Sequence, residues 1–221
     1  RRGPAGAQLA GACRDVAAGA APRSPHWLAA WHGLARSAWT DEQADALSEL
    51  LAGTGVPQAL RWDALTRLVS LGRAGEQHIA AESAVDPDPD AGQSAAVARA
   101  AADTPEAKRA ALDALLAPDG MPIGALPRLA GGLWQPHQHD LLTGVMGDFL
   151  DRLPQAILDG GPARAMRLTR WCFPSFGLGP EQIERVRRLA ADPALLEVAR
   201  TALADQAVLA ERRARAATLP G

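Results

Sequence analysis

The chain has 221 residues, a formal net charge of -2 and a composition that is 48% hydrophobic. Alanine and leucine dominate, whereas the β-branched residues that a sheet needs are scarce, so the composition predicts an all-α protein. The charge is nearly balanced, and no stretch approaches the roughly 20 apolar residues that cross a bilayer. We therefore expect neither nucleic acid nor a membrane as a partner.

Helix start signals recur along the first part of the chain. Ser24 stands before a proline, which is typical of an N-cap followed by the first helical position. Thr40 begins the sequence Thr-Asp-Glu-Gln, a capping box completed by Gln43. Pro57 opens the clearest amphipathic helix, which we expect to end at Gly72. The polar face of that helix is expected to carry Arg61, Asp63 and Arg67.

An alternation of aspartate and proline over residues 86–90 interrupts the middle of the chain. Proline disfavours helix in the residue before it, so this run ends a short helix that we expect from Gly75 to about Ser83. Helices then resume over residues 93–101 and 105–116. Thr104 is expected to cap the second of these.

Proline and glycine also divide the second half of the chain. They flank a short helix that we expect over residues 121–132. A longer apolar stripe begins at Leu141, and Leu153 with Pro154 closes or bends that helix. Prolines mark the starts of the last three helices, which we expect at Pro162, Pro180 and Pro193.

These signals define ten or eleven short helices and no single long bundle helix, a pattern typical of stacked helix pairs. The expected fold is a right-handed α-α superhelix of short antiparallel helix pairs, similar to HEAT and armadillo solenoids. We expect it to form one helical-repeat domain over residues 1–221. The sequence has no strict internal period, so any repeat is weak.

Histidines are the first candidates for metal ligands, and their spacing argues against that role. His137 and His139 lie two residues apart, so on a helix they would point about 200° away from each other. His26 and His32 also lack the i, i+3 or i, i+4 spacing, and His78 stands alone. H-E-x-x-H, G-x-S-x-G and P-loop sequences do not occur. We expect no metal site and no catalytic residue in the chain.

The two cysteines, Cys13 and Cys172, lie far apart, a pattern that indicates neither a disulfide framework nor a structural zinc site. An isolated cysteine in apolar surroundings is usually a small core residue, so we expect this role and not that of a nucleophile. A reducing cytoplasm is the simplest compartment for such a chain.

The aromatic composition is unusual, since the chain has six tryptophans and no tyrosine. Tryptophans on or beside apolar stripes are expected in the core or at helix junctions, although one that faces a groove could instead anchor a peptide or a partner. The residues with this expectation are Trp27, Trp31, Trp62, Trp134 and Trp171. The arginine-rich residues 211–215 are expected to form the solvated end of a helix.

Several strings occur in an order that resembles a known domain. The most specific comprises Leu60-Arg61-Trp62, Leu65, Leu68-Val69, Gly72-Arg73-Ala74-Gly75-Glu76, Ile79 and Ala81-Glu82. Others are Lys108 in an alanine-rich helix, Leu133-Trp134-Gln135-Pro136 with Gln138 and Leu141-Leu142, and Phe173-Pro174. Ser24-Pro25-His26 with Leu28-Ala29 matches more loosely. Over about residues 20–215 the chain resembles the C-terminal helical domain of actinobacterial aminopeptidase N, a gluzincin zinc aminopeptidase. The domain is of the kind shared with endoplasmic-reticulum aminopeptidases.

The resemblance implies a helical domain that caps a thermolysin-like catalytic domain and encloses its substrate chamber. In such enzymes the zinc-binding H-E-x-x-H and the G-x-M-E-N that holds the substrate amine lie upstream, after an N-terminal β domain. Neither sequence occurs here, so the resemblance assigns no zinc ligand, catalytic residue or identified substrate-binding residue to this chain. It implies peptide substrates, zinc in the catalytic domain, and that domain as this chain's partner. Arginines facing the chamber are expected to bind a peptide carboxylate.

The chain begins Arg1-Arg2 and its first methionine is Met121, which leads us to expect a fragment of a larger protein. Two alternatives remain open. A stand-alone helical-repeat scaffold that binds another protein fits the same composition. A self-contained hydrolase would require turnover by the chain alone.

Overall fold

The computed structural model describes the backbone of residues 4–174 and 176–217, and the side chains of 8–174 and 176–216. Every regular element in these ranges is helical. Residues 1–103 and 104–221 form two compact units. The first unit contains α1 (Pro4–Gly19), α2 (Pro25–Ser37), α3 (Asp41–Ala52), α4 (Gln58–Ser70), α5 (Glu76–Val85) and α6 (Ala91–Ala100). The second contains α7 (Pro105–Leu116), α8 (Leu126–Leu133), α9 (His139–Met166), a π-helical segment (Arg167–Trp171), α10 (Pro180–Ala191) and α11 (Glu197–Ala217).

The predicted N-caps are confirmed because each is closed by a hydrogen bond within three residues. The backbone N–H of Trp27 donates to Ser24 Oγ at 3.2 Å. The N–H of Gln43 donates to Thr40 Oγ1 at 3.3 Å, and Gln43 Oε1 accepts from the Thr40 N–H at 3.2 Å, which completes the capping box. Thr104 caps α7 in the same way, through the N–H of Ala107 at 3.2 Å.

In the first unit, α4 is the central helix and is buried on two faces. Leu60, Ala64 and Leu68 belong to a core shared with α1, α2 and α3. Trp62, Leu65 and Val69 belong to a second core, shared with α5 and α6. Because both faces are covered, Arg67 on the predicted polar face is 7% exposed, so that face is not solvated as a whole.

Helix α1 was not predicted, because its buried stripe consists of alanines. Ala10 and Ala17 are buried seven residues apart, on the side where α1 packs against α2. Alanine occurs on every face of this chain's helices. A stripe of alanines therefore does not distinguish a buried face from an exposed one, as an amphipathic pattern must.

Two predicted helix starts in the second unit are wrong by several residues. The helix expected from residue 121 begins at Leu126, with Pro127 in its first turn, because glycine and proline at 120, 122 and 124 favour turns. The helix expected from Pro193 begins at Glu197. Asp192 Oδ1 accepts the N–H of Ala194 at 2.9 Å, which holds the intervening residues in an Asx turn.

Helix α9 bends at a glycine and not at the predicted proline. Pro154 lies inside the helix, whereas Gly161 has φ 69° and ψ 178°, a conformation that side chains strongly disfavour. Pro162 then restarts the helix at the predicted position, and the last turn is π-helical. A Cβ at Gly160 would clash with Arg164 Cδ, so this glycine leaves room for that buried arginine.

The expected fold class is confirmed. Consecutive helices pack in pairs within each unit, as α1 on α2 and α10 on α11 do, and this packing is consistent with an α-α superhelix. Two compact units can belong to one helical-repeat domain, since each repeat mainly contacts its neighbours. The single domain over residues 1–221 therefore stays a prediction.

Candidate functional site

Two of the histidines, His32 and His78, form hydrogen bonds to neighbouring groups. His32 Nδ1 is 2.8 Å from Asp63 Oδ2, which joins α2 to α4. The N–H of Gly75 donates to His78 Nδ1 at 3.2 Å and thereby covers the start of α5. His139 is exposed at the first residue of α9. In the described part of the chain, no three His, Cys, Asp or Glu side chains are grouped to hold a metal ion.

The two cysteines are free thiols packed in apolar surroundings. Cys172 is fully buried, and burial raises its pKa to about 12, so it stays protonated and is a poor nucleophile at neutral pH. Cys13 is partly buried against the core formed by α1–α4. The predicted core role is confirmed for Cys172, and Cys13 packs at the edge of a core.

Three buried cations lie at helix C-termini. Arg67 donates from Nε and Nη2 to the carbonyl of Ala38, just after α2. The chain's single lysine, Lys108, is 0% exposed and donates to the carbonyl of Leu133 at the end of α8. Arg164 is 2% exposed, and its Nη2 donates to the carbonyls of Leu115 and Ala117 at the end of α7. Because the last carbonyls of a helix lack partners and carry partial negative charge, these cations stabilise the fold.

Arg61 and Glu82 belong to the most specific of the strings that carry the resemblance, and they form an ion pair between α4 and α5. Arg61 Nε and Nη2 each donate to the Glu82 carboxylate at 2.7 Å, and Gln58 Nε2 donates to the same group at 2.6 Å. The hydrogen bond from Arg61 lowers the pKa of Glu82 and raises the pKa of Arg61. Trp62 Nε1 donates to Asp86 Oδ2 at 2.6 Å. The string is therefore explained by packing and charge pairing within the first unit.

The tryptophans divide into buried and exposed groups. Trp62 and Trp134 are 3% and 8% exposed, as predicted, and Trp27 packs edge-on against Trp31 with ring centroids 6.0 Å apart. Trp171 is 58% exposed, so a core position is wrong for it, and it faces a groove, the alternative that the sequence left open. Its neighbour Cys172 occupies the buried position instead, and the π-helical turn directs Trp171 outward.

Trp171 lines a groove of about 400 Å³ in the second unit. Phe173, Phe176 and Leu209 supply further apolar surface, and Arg170, Gln206 and Arg213 supply polar groups. Trp134 and the edges of α8 complete the lining. We call this surface the Trp171 groove.

The walls of the Trp171 groove are held in place by buried contacts. Trp134 Nε1 donates to the carbonyl of Cys172 at 2.8 Å, and the Phe149 ring lies edge-on to both Trp134 and Phe173. Gln206 Nε2 donates to the carbonyls of Thr169 and Arg170 at 3.2 and 3.3 Å, which ties α11 to the π-helical segment. Irregular π turns occur frequently at functional sites.

Some arginines of this unit form ion pairs with carboxylates. Arg185 pairs with Asp151, Arg187 with Glu211, and Arg152 with Asp113. Neither Arg170 nor Arg213 has a carboxylate within ion-pair distance among the described residues. The sequence pattern placed Arg213 in the solvated end of α11 and did not single out Arg170 or Phe176. The adjacent Arg-Trp pair at a helix end was the one signal available.

The described residues contain no helix with the length and apolar content required to cross a membrane. Arg212, Arg213 and Arg215 are exposed near the end of α11, which confirms the predicted solvated helix end.

Comparison with known proteins agrees with these observations. Residues 26–209 match the sequence model of the ERAP1-like C-terminal domain. The chain is 30% identical to Aminopeptidase N of Streptomyces lividans over 168 residues, which cover 73% of this chain and 20% of the relative. The chain thus spans about a fifth of the length of that curated relative. Because the family match covers most of the chain, we conclude that the chain belongs to the ERAP1-like C-terminal domain family.

Proposed function

We propose that this chain is the C-terminal, non-catalytic domain of a zinc aminopeptidase that removes N-terminal residues from peptides. The observation that carries this proposal is the family match over residues 26–209, together with the similarity to part of an Aminopeptidase N. The proposed partners are a catalytic domain of the same protein and its peptide substrates, and the proposed compartment is the cytoplasm.

The side chains of the domain support a structural role over a catalytic one. Its most deeply buried cations, Lys108 and Arg164, hold helix ends, and its buried thiol Cys172 is kept protonated. The described residues do not fit a catalytic zinc ion, which requires three clustered protein ligands. We therefore assign zinc and its chemistry to the catalytic domain and derive no reaction step from this chain.

Enclosure of the substrate chamber is the proposed contribution of the domain to activity. A wall of paired helices can limit access by peptide length, and chamber-facing arginines can bind a peptide carboxylate bidentately. Both effects would appear as a dependence of turnover on peptide length.

Two measurements test the proposal. The purified 221-residue chain, with zinc added, is expected to show no hydrolysis of aminoacyl-anilides, and measurable turnover would contradict it. In the full enzyme, deletion of this region is expected to change the ratio of kcat/KM between long peptides and short anilides. An unchanged ratio would remove the support for a chamber wall and would favour the scaffold alternative.

A further inference from the structure

The Trp171 groove exposes large apolar side chains from neighbouring segments. Trp171 is 58% exposed and Leu209 40%, and Met166, which lines a neighbouring cavity, is 44% exposed. Single exposed apolar residues are common, but a contiguous group beside a groove marks an interaction surface. Tryptophan in particular contributes strongly at such surfaces, because it offers a large rigid face at low entropic cost.

The charge of the groove specifies the chemistry of its occupant. Arg170 and Arg213 line it, and neither makes an ion pair with any of the described residues. Glu197 lines an adjoining cavity with Arg170 but does not pair with it. Guanidinium groups beside an aromatic floor bind carboxylates bidentately and also stack on rings. A ligand that combines carboxylates with an apolar side chain complements both features.

The shape of the site favours an extended segment over a single terminal group. The groove of about 400 Å³ adjoins a second cavity of about 370 Å³, lined by Met166, Arg170 and Thr201 among others. Arg170 belongs to both cavities and therefore lies between them. A track of this size accommodates several consecutive residues of a polypeptide.

We infer that the Trp171 groove binds an internal acidic segment of a partner protein. An apolar side chain of the segment packs on Trp171, and flanking carboxylates pair with Arg170 and Arg213. This binding goes beyond the proposed aminopeptidase role and does not depend on it, because the ligand needs neither a free amino terminus nor a free carboxyl terminus.

The experiment measures binding of a fluorescein-labelled peptide to the 221-residue chain by fluorescence anisotropy. The probe carries phenylalanine and leucine between two aspartates and two glutamates. Both of its ends are blocked, so it is neither an aminopeptidase substrate nor a source of a terminal carboxylate. A matched peptide replaces the aspartates and glutamates with asparagine and glutamine. We expect saturable binding of the acidic probe that weakens with added salt, and no saturation with the amide peptide.

Variants locate the binding site. Trp171→Ala and the double change Arg170→Ala with Arg213→Ala are each expected to weaken binding about tenfold or more. Trp39→Ala removes another exposed tryptophan, and Arg212→Ala removes the arginine next to Arg213. Neither residue lines the groove, so both variants are expected to bind like the unchanged chain. Far-UV circular dichroism verifies that each variant is folded.

Several results would overturn the inference. The inference fails if the folded chain does not bind the blocked acidic probe. It also fails if the groove variants bind the probe as tightly as the two control variants do. Tight binding only of a peptide with a free carboxyl terminus would make the groove a terminus site. Self-association of the chain that Trp171→Ala abolishes would identify a second copy as the occupant. Loss or retention of peptidase activity in the full enzyme would test the proposed function separately.

Discussion

One arginine from each compact unit illustrates a different way to stabilise a positive charge. In the first unit, Arg61 is neutralised by the carboxylate of Glu82, and its Nη1 donates to the carbonyl of Leu51. In the second unit, Arg164 is more deeply buried, and its Nη2 donates to the helix-end carbonyls of Leu115 and Ala117. Arg61 is hydrogen-bonded to a carboxylate, whereas the hydrogen bonds of Arg164 go to carbonyl dipoles.

The pKa values of the two arginines are shifted in opposite directions. Hydrogen bonding to Glu82 raises the pKa of Arg61, because the carboxylate favours the charged guanidinium. Burial lowers the pKa of Arg164, because carbonyl dipoles do not fully replace the water that was lost. Arg61 is therefore held in a charge pair, whereas Arg164 caps a helix end, as Arg67 does in the first unit. The two kinds of site should respond differently to substitution.

Among the variants that test these charges, Arg164→Ala is expected to have the largest effect on stability. It leaves the carbonyls at the end of α7 without their buried donor and opens a cavity beside Gly160. The expected loss in the free energy of unfolding is about 4 kcal/mol. Urea denaturation followed by far-UV circular dichroism measures it. Arg152→Ala, which removes an exposed pair with Asp113, is the matched control and should cost less than about 1 kcal/mol.

Glu82→Gln tests the charge pair of the first unit. The substitution keeps the shape of the side chain but leaves Arg61 without its counterion, so the expected loss in the free energy of unfolding is about 3 kcal/mol. Glu76→Gln, at the exposed pair with Arg99, is the control and should cost far less. If both variants lost the same amount, the buried pair would have no special role.

The pH dependence of Glu82→Gln sharpens the same test. Because the pKa of Glu82 is lowered in the folded chain, the stability that its ionised carboxylate contributes is fully present above the ordinary carboxyl pKa. It is lost as the pH falls through the lowered value. The difference in stability between the original chain and the variant should therefore shrink in acid, and a constant difference would contradict the assignment.

The second unit should show the opposite dependence, at alkaline pH, through Cys172. Its pKa is raised from 9.0 to about 12. The stability that the protonated thiol contributes is therefore complete below pH 9.0 and is lost as the pH rises toward 12. The expected loss is about 2 kcal/mol at a pH of about 10.5. The chain has no tyrosine and one lysine, which leaves few other groups that titrate in this range. The difference between the urea midpoints at pH 8 and pH 10.5 should become smaller in Cys172→Ala than in the original chain. It should not become smaller in Cys13→Ala.

Trp171→Ala should have the smallest effect on stability. The ring is 58% exposed, so its removal is expected to change the free energy of unfolding by about 0.5 kcal/mol or less. Trp62→Ala, in the core of the first unit, removes a buried ring and its hydrogen bond to Asp86 and should cost about 4 kcal/mol. Comparable losses in the two variants would show that Trp171 is a packing residue.

The groove was less accessible to prediction than the helices. An Arg-Trp pair at the end of an apolar stripe predicts a buried tryptophan, because the stripe is extrapolated at 3.6 residues per turn. The π-helical turn changes that register, so Cys172 is buried and Trp171 faces outward. Arg213 was read as a solvated residue near the chain's end, and only the position of α11 beside the π-helical segment brings it to the same groove as Arg170.

Local chemistry in the sequence determined the all-helical class and the starts at Ser24, Thr40 and Thr104, because a cap is closed by a hydrogen bond within three residues. Tertiary structure decided where α9 bends, since the bend at Gly161 accompanies a buried arginine that reaches α7, almost fifty residues away. It also decided which cation meets a carboxylate and which meets a helix end. These outcomes depend on contacts between helices, and the burial of a charge is set by the partner it meets in the fold.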